Sequence, residues 1–473
     1  MNPETRHTTP RTPKIGLLPF FLHLYENICS QEELDEVKAF ADVIRVEYEK
    51  RGVEVVLVES CCKQAQFEAA IHTFEQADVD AIVTLHLAYS PSLESIDALA
   101  ATSLPLIILD TTPDFAFGFE QESERIMFNH GIHGVQDFCN LLLRHDKAFS
   151  LEAGHWKQSD VLDRTIALIK GSQAAALLTR ARVGIVGTPF KGMGDFAIPF
   201  DVLKREIGME VISADSESVG HLMPAPDSPE VKDEIEKDLA AFRKGTCSDA
   251  ALRASEVSGL GLRRWMEQEK LSAVTVNFGD ITGPPGLPVM PFLELSKAMA
   301  RGIGYGGEGD VLTAAFCGAL GQVVPETTFT EMFCPDWEGN RIFMSHMGEV
   351  STALTAQTPV LEQRPYPFSA ADEPVIAAGC LRSGAAWLLN VAPGKDDTFT
   401  LVSLPVEVCD TDGNEKIAGG VRGWIKTGLS TPDLLKQYSL HGGTHHSVLC
   451  YGIDERFAEA FAKAMNWRFV VIK

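Results

Sequence analysis

The chain has 473 residues, 45% of them apolar and 22% charged, the balance of an ordinary globular protein. At that length two or three domains are expected rather than one core. A formal net charge of −24, with no basic block to offset it, argues against a nucleic-acid or anionic-membrane surface. No apolar run approaches the roughly 20 residues needed to span a bilayer. Ten scattered cysteines, with only Cys61 and Cys62 adjacent, read as buried reduced thiols. The opening Met1–His7 lacks the apolar core of a secretory signal and reads as a frayed lead-in, so a cytoplasmic protein is expected.

The first third alternates strand-like and helix-like runs. Strands are expected over Lys14–Phe20, Val53–Glu59, Ala81–Leu87 and Leu104–Asp110, and a helix over Gln31–Arg51, stopped by Gly52. Such alternation implies a doubly wound parallel sheet whose ligand loops lie at the strands' carboxyl ends. After a helix over Ser159–Thr179, a second α/β unit opens with strand Arg182–Gly187. It continues with a helix near Phe196–Ile207, strand Glu210–Ala214, the acidic segment Ser228–Arg243 and strand Ala273–Phe278. From about Pro325, alternating runs such as Ala386–Val391 and Thr398–Val406 predict antiparallel strands. A helix over Glu455–Met465 and a strand over Arg468–Ile472 close the chain. The expected architecture is α/β: two doubly wound parallel-sheet domains, 1–178 and 179–324, then a largely antiparallel β domain, 325–473.

Four short phrases in the second half carry chemistry. They place Glu308 in Gly306-Gly307-Glu308-Gly309-Asp310, Glu331 in Phe329-Thr330-Glu331, His346 in Ser345-His346-Met347, and His446 in Gly442-Gly443-Thr444-His445-His446. Two carboxylates and two imidazoles suit a divalent ion such as Mn²⁺ and leave about two octahedral positions for a substrate. Singly, each residue has a plainer reading as a helix-end carboxylate, a surface charge or a packed histidine. Gly302-Ile303-Gly304-Tyr305-Gly306-Gly307 matches the G-x-G-x-x-G pattern, but it follows a helical stretch, Phe292–Arg301, instead of a strand. It therefore reads as a glycine turn that delivers Glu308 to the start of helix Val311–Leu320.

These phrases resemble the L-arabinose isomerase and L-fucose isomerase superfamily, and the arabinose isomerase branch more closely. The matching stretches are Gly304–Asp310 with Thr313-Ala314-Ala315, Thr328–Glu331, Ser345–Val350 and Gly442–Val448, with weaker likeness at Leu22–Tyr25 and Asn129–Gly134. The resemblance implies Mn²⁺ or another divalent metal on Glu308, Glu331, His346 and His446, with the two glutamates also the acid/base pair. Glu349 or His445 would stand behind the ligands. It implies sugar contacts at Leu24, Tyr25, His133, Met193 and Phe278. It also marks two departures, because Leu22 and His130 stand where the arabinose enzymes have glutamine. Losing an amide partner for a sugar hydroxyl changes which sugar fits. A residue matching His133 reaches a neighbouring subunit's site in the family, which implies a homo-oligomer, a hexamer built as two trimers.

The expected activity is therefore aldose–ketose isomerisation of an open-chain, L-arabinose-like sugar through a cis-enediol. Two rivals stand beside it: a metal-dependent hydrolase using the same carboxylates around water, and a non-catalytic sugar-binding or regulatory protein. Partners are then a small sugar and other copies of the chain, with neither nucleic acid nor membrane.

Overall fold

The computed structural model describes residues 10–413, 416–417 and 419–473; Met1–His7 lies outside them. The chain divides into two compact units, one built from residues 11–176 with 454–466 and the other from residues 177–453 with 467–473.

The first unit is a five-stranded parallel sheet. Its strands are β1 (Lys14–Phe20), β2 (Glu54–Leu57), β3 (Ala81–His86), β4 (Leu106–Asp110) and β5 (Phe149–Ala153), in the order β2-β1-β3-β4-β5. Runs such as Ala81–His86 are buried throughout, as expected when helices cover both faces. The crossover helix Gln31–Lys50 starts at Ser30, whose hydroxyl accepts from Glu33 N while the Glu33 carboxylate accepts from Ser30 N. Strand order reverses between β1 and β3, the switch point beside whose carboxyl ends sheets of this kind bind ligands.

The second unit contains a four-stranded parallel sheet and a ten-stranded mixed sheet. The strands are, in chain order, β6 (Arg182–Val186), β7 (Glu210–Ala214), β8 (Arg243–Lys244), β9 (Ala273–Val276), β10 (Gly304–Gly307), β11 (Thr327–Asp336), β12 (Arg341–Ser345), β13 (Val360–Gln363), β14 (Val375–Cys380), β15 (Gly384–Pro393), β16 (Phe399–Val408), β17 (Val421–Lys426), β18 (His446–Tyr451) and β19 (Arg468–Val471). The parallel sheet runs β10-β9-β6-β7. In the larger sheet, β16-β15-β18-β11-β12-β17 are joined antiparallel, and β16 also pairs β17, so six strands close into a ring. Its interior holds Met344, Leu388, Val402, Leu404, Ile425 and Leu449. Four helices matter below: α1 (Pro229–Ala241), α2 (Asp249–Gln268), α3 (Phe292–Ala300) and α4 (Val311–Val323). The fold is thus the expected α/β architecture, two parallel sheets and a largely antiparallel third.

Two local expectations fail. The glycine run before Glu308 is the edge strand β10, paired with β9, and not a turn. Glycine is required there by contact: a Cβ on Gly304 would lie 2.1 Å from the Ala314 carbonyl of α4. The helix expected from Phe196 begins only at Phe200, after Pro199, and this leaves 187–199 as a long loop.

Candidate active site

Glu308 sits on the turn between β10 and α4 at φ +60°, a left-handed backbone that few residues besides glycine adopt. The turn is held at several points. Asp310 N donates to Gly307 O (2.8 Å), and the Thr275 hydroxyl donates to Gly306 O (2.7 Å) and accepts from Gly309 N (3.0 Å). Phe190 N donates to the Glu308 carbonyl (3.0 Å), and Gly309 lies so close to Pro189 that a Cβ would be 2.7 Å from its Cα. A left-handed carboxylate held from several sides is a candidate for function.

The other three expected ligands come from neighbouring strands of the six-stranded ring. Glu331 on β11 is the direct cross-strand partner of His446 on β18 and of Ser345 on β12, and His346 follows immediately. The Glu308 carboxylate lies 3.7 Å from His446 Nε2, and the two imidazole rings are 5.7 Å apart. Phe329, two residues before Glu331 and so on the same face of β11, packs edge-on against both rings at 4.9 and 5.0 Å. Phe196 stacks on His446 at 5.4 Å.

Each imidazole is gripped from behind. His346 Nδ1 donates to Glu349 (2.7 Å) and His446 Nδ1 to Asp310 (2.9 Å). Glu349 in turn accepts from the Tyr305 hydroxyl and Gly348 N, and Asp310 accepts from Thr313 N at the head of α4. Both Nε2 atoms converge on Gly307, where a Cβ would stand 2.8 Å from one and 3.1 Å from the other. His446 Nε2 is fully buried and has no hydrogen-bond partner among the described residues. An orphaned buried nitrogen beside a carboxylate, above a position only glycine can occupy, fits a cation. Two carboxylates and two imidazoles are a suitable set for a divalent metal.

His445 forms a second line. Its Nδ1 donates to Asp195 (2.6 Å), its backbone N donates to the same oxygen (3.1 Å), and its Nε2 lies 3.6 Å from Glu308. Glu308, His445 and His446 place ligand atoms within 4.8 Å of one another. Burial works against charge on Glu308, but the nearby imidazoles of His445, His346 and His446 outweigh it and hold its carboxyl below the usual range. Burial instead pushes the Glu331 carboxyl up, with the imidazoles opposing. Burial disfavours the His445 imidazolium, yet Glu308 and Asp195 raise its pKa to about 9. A further acidic trio, Glu234, Asp238 and Glu256, already surrounds a cation: Lys297 Nζ lies 3.0, 2.7 and 3.1 Å from them.

Of the expected sugar contacts, Phe278 lies in this unit with Phe190 (5.1 Å), Tyr366 (6.2 Å) and Phe368 (6.3 Å), and half-buried Met193 lies on the 187–199 loop. Leu22, Leu24, Tyr25, His130 and His133 belong to the first unit. There the Tyr25 hydroxyl meets His130 Nε2 at 2.9 Å, His133 lies 5.9 Å from His130, Leu22 immediately precedes the short helix His23–Glu26 after β1, and Leu24 lies within it. Leu24 is exposed. Sequence reasoning missed Asp195, Phe196 and Phe190, whose only signal was a glycine-punctuated stretch after β6. It also missed Asp310 as the partner of His446.

Two family models match the second half of the chain: the L-arabinose isomerase central domain over residues 230–324 and the L-arabinose isomerase C-terminal domain over residues 326–467. An L-arabinose isomerase of Shouchella clausii is 25% identical, aligned over 96% of this chain and 94% of its own. Those of Serratia proteamaculans and Mycolicibacterium smegmatis are 24% and 27% identical, over 95% and 80% of this chain and 92% and 78% of theirs. A solute-binding protein of an ABC transporter from Actinobacillus succinogenes matches 66% of this chain and 91% of its own at 12% identity. Its TM-score is only 0.18, too low to bear on the fold. The sequence matches define an enzyme of the sugar isomerase class, an intramolecular oxidoreductase. Within that class, the chain belongs to the L-arabinose isomerase family.

Proposed function

We propose that this enzyme is a metal-dependent ketol-isomerase of an L-arabinose-like pentose or related aldose, acting on the open-chain sugar through a cis-enediol. The observation that carries the reading is the buried Nε2 of His446, without a hydrogen-bond partner among the described residues and 3.7 Å from Glu308. Glu308, Glu331, His346 and His446 would hold the metal, Mn²⁺ in the first instance, which supplies Lewis-acid polarisation of the sugar's oxygens. Glu308 is assigned removal of the C2 proton and Glu331 the hydroxyl proton, help typically worth ~10²–10⁴ in rate. The walls of Phe190, Phe196 and Phe278 would keep water from the reacting carbons.

Leu22, Leu24, Tyr25, His130, His133, Met193 and Phe278 are proposed sugar contacts. With Leu22 and His130 in place of glutamine, the preferred aldose is expected to differ from that of the arabinose enzymes. We also propose domain limits of 1–178, 179–324 and 325–473, a cytoplasmic location and a homo-oligomer, which a mass measurement in solution would check. Among the described residues no helix is long and apolar enough to cross a membrane.

The deciding experiment incubates metal-stripped protein with a panel of aldoses, with and without Mn²⁺, alongside Glu308→Gln. Mn²⁺-dependent ketose formation that the substitution abolishes is expected. No ketose from any pentose, hexose or tetrose, despite tight Mn²⁺ binding, would sink the proposal.

A further inference from the structure

Residues 364–374 join β13 to β14, and between Arg364 and Phe368 only Tyr366 is buried, 8% exposed. Pro365 and Pro367 flank it, which stiffens the backbone and favours an extended tyrosine. The loop is also tied down. Ser369 Oγ donates to Ile281 O (2.5 Å), Asp372 N to Pro288 O (2.9 Å) and Arg364 N to Pro374 O (3.0 Å). A largely exposed loop thus delivers one aromatic ring inward.

The ring stands between two parts of the candidate site. It packs edge-on against Phe292 (5.2 Å), Phe368 (5.4 Å) and Phe278 (6.2 Å). Phe292, the first residue of α3, also presses on Gly348, where a Cβ would lie 3.1 Å from its ring, and Gly348 adjoins Glu349. On the other side Phe278 meets Phe190, whose backbone N donates to the Glu308 carbonyl. Among the described residues the Tyr366 hydroxyl makes no hydrogen bond. Burial, and after it the charges of Glu349 and Glu308, push its pKa up, so the phenol keeps its proton and remains a donor. A phenylalanine would fill the same space. A buried tyrosine hydroxyl usually has a partner, and without one it costs free energy.

We propose that Tyr366 is a specificity-determining residue whose hydroxyl donates to a sugar oxygen at C3 or beyond. The inference rests on the isomerase reading above, in which the ligand set and Glu308 take the first two carbons with their oxygens. It adds one directed donor to a wall otherwise made of phenylalanines. The plainer account is a packing ring whose hydroxyl does nothing. Tyr366→Phe separates the two, because it keeps the ring against Phe292, Phe278 and Phe368 and removes only the donor.

The probes are the aldose that the panel above shows to be isomerised, analogues of it that each lack one hydroxyl from C3 onward, and the matching alditol, which binds without reacting. Parent and variant are compared by kcat/KM on the sugars and by calorimetric affinity for the alditol in the presence of Mn²⁺. Mn²⁺ affinity and melting temperature are measured beside them. A net neutral hydrogen bond corresponds to roughly 5–10-fold. Tyr366→Phe is expected to lose about that much on the full sugar and on the alditol, with Mn²⁺ affinity unchanged. On one deoxy analogue the two proteins should be equal, and that analogue names the oxygen.

A variant that matches the parent on the full sugar and the alditol would overturn the inference. So would a loss that is the same on every deoxy analogue, which marks a structural effect, or a parallel loss of Mn²⁺ affinity, which ties the hydroxyl to the ligand set instead of the sugar. A parent chain that forms ketose from no aldose overturns this inference and the isomerase reading beneath it. An active parent with an unaffected variant overturns the inference alone.

Discussion

Gly307 and Glu308 show how single residues set the chemistry. Gly307 has no side chain because the space its Cβ would take is where both Nε2 atoms point, 2.8 and 3.1 Å away. Its alanine variant is therefore expected to fold and yet to displace both imidazoles. Misplacement on the scale of about 1 Å can cost on the order of 10²-fold in kcat/KM, and Mn²⁺ affinity should fall with it. Titrating Gly307→Ala with Mn²⁺ checks this, and undiminished binding would show that the convergence over Gly307 is incidental. Glu308 is legible in the sequence as a carboxylate among glycines, but its left-handed backbone is not. That conformation is imposed by Phe190, Pro189 and Thr275, which are far away in the chain.

At the scale of elements, β10 and α3 carry the site. β10 reads as a turn in the sequence because three of its four residues are glycine, the composition least suited to a strand. It is a strand because β9 offers a partner and α4 presses on it from above, a close contact that only glycine admits. The α3 helix, which leads into β10, is anchored by Lys297. Its buried ammonium meets Glu234 and Asp238 of α1 and Glu256 of α2, with Glu294 of α3 itself at 3.9 Å. Burial disfavours the charged lysine, but these carboxylates outweigh it and hold its pKa above the ordinary value. Removing one partner of a buried charge cluster leaves the rest uncompensated, at about 3–5 kcal/mol. Lys297→Met, which keeps the volume, should lower the urea midpoint accordingly. An unchanged midpoint would mean that the carboxylates relax to water or take up protons.

Acid stability belongs to the whole molecule. His86, at the end of β3, is buried against Phe20 and Phe138, with neither ring nitrogen hydrogen-bonded among the described residues. Burial pushes its pKa from 6.5 down to about 3. Above pH 6.5 it is neutral whether folded or unfolded and contributes no pH dependence. Between pH 6.5 and about 3 the unfolded chain binds a proton that the core refuses, so stability falls as pH drops through this window. The slope is about 1.4 kcal/mol per pH unit. His86→Leu should therefore lose about 2–3 kcal/mol less than the parent between about pH 6.5 and 4.5, by urea denaturation at both pH values. Equal losses would show that the imidazole reaches water when charged.

Much of the architecture was written locally. Alternating strand and helix periods, with stop signals such as Gly52, point to two parallel sheets and an antiparallel third, because burial of apolar faces follows period directly. The four candidate ligands were visible too, since each lies in a short phrase of glycine or strand residues that holds a polar group at an element's end. What no local pattern contained is how the 187–199 loop brings Asp195 and Phe196 to His445 and His446, or how Asp310 and Glu349 turn the two imidazoles. Those contacts join segments far apart in sequence. They carry no period, and they exist only once the parallel sheet holding β6 and β10 has packed against the mixed sheet holding β11 and β18.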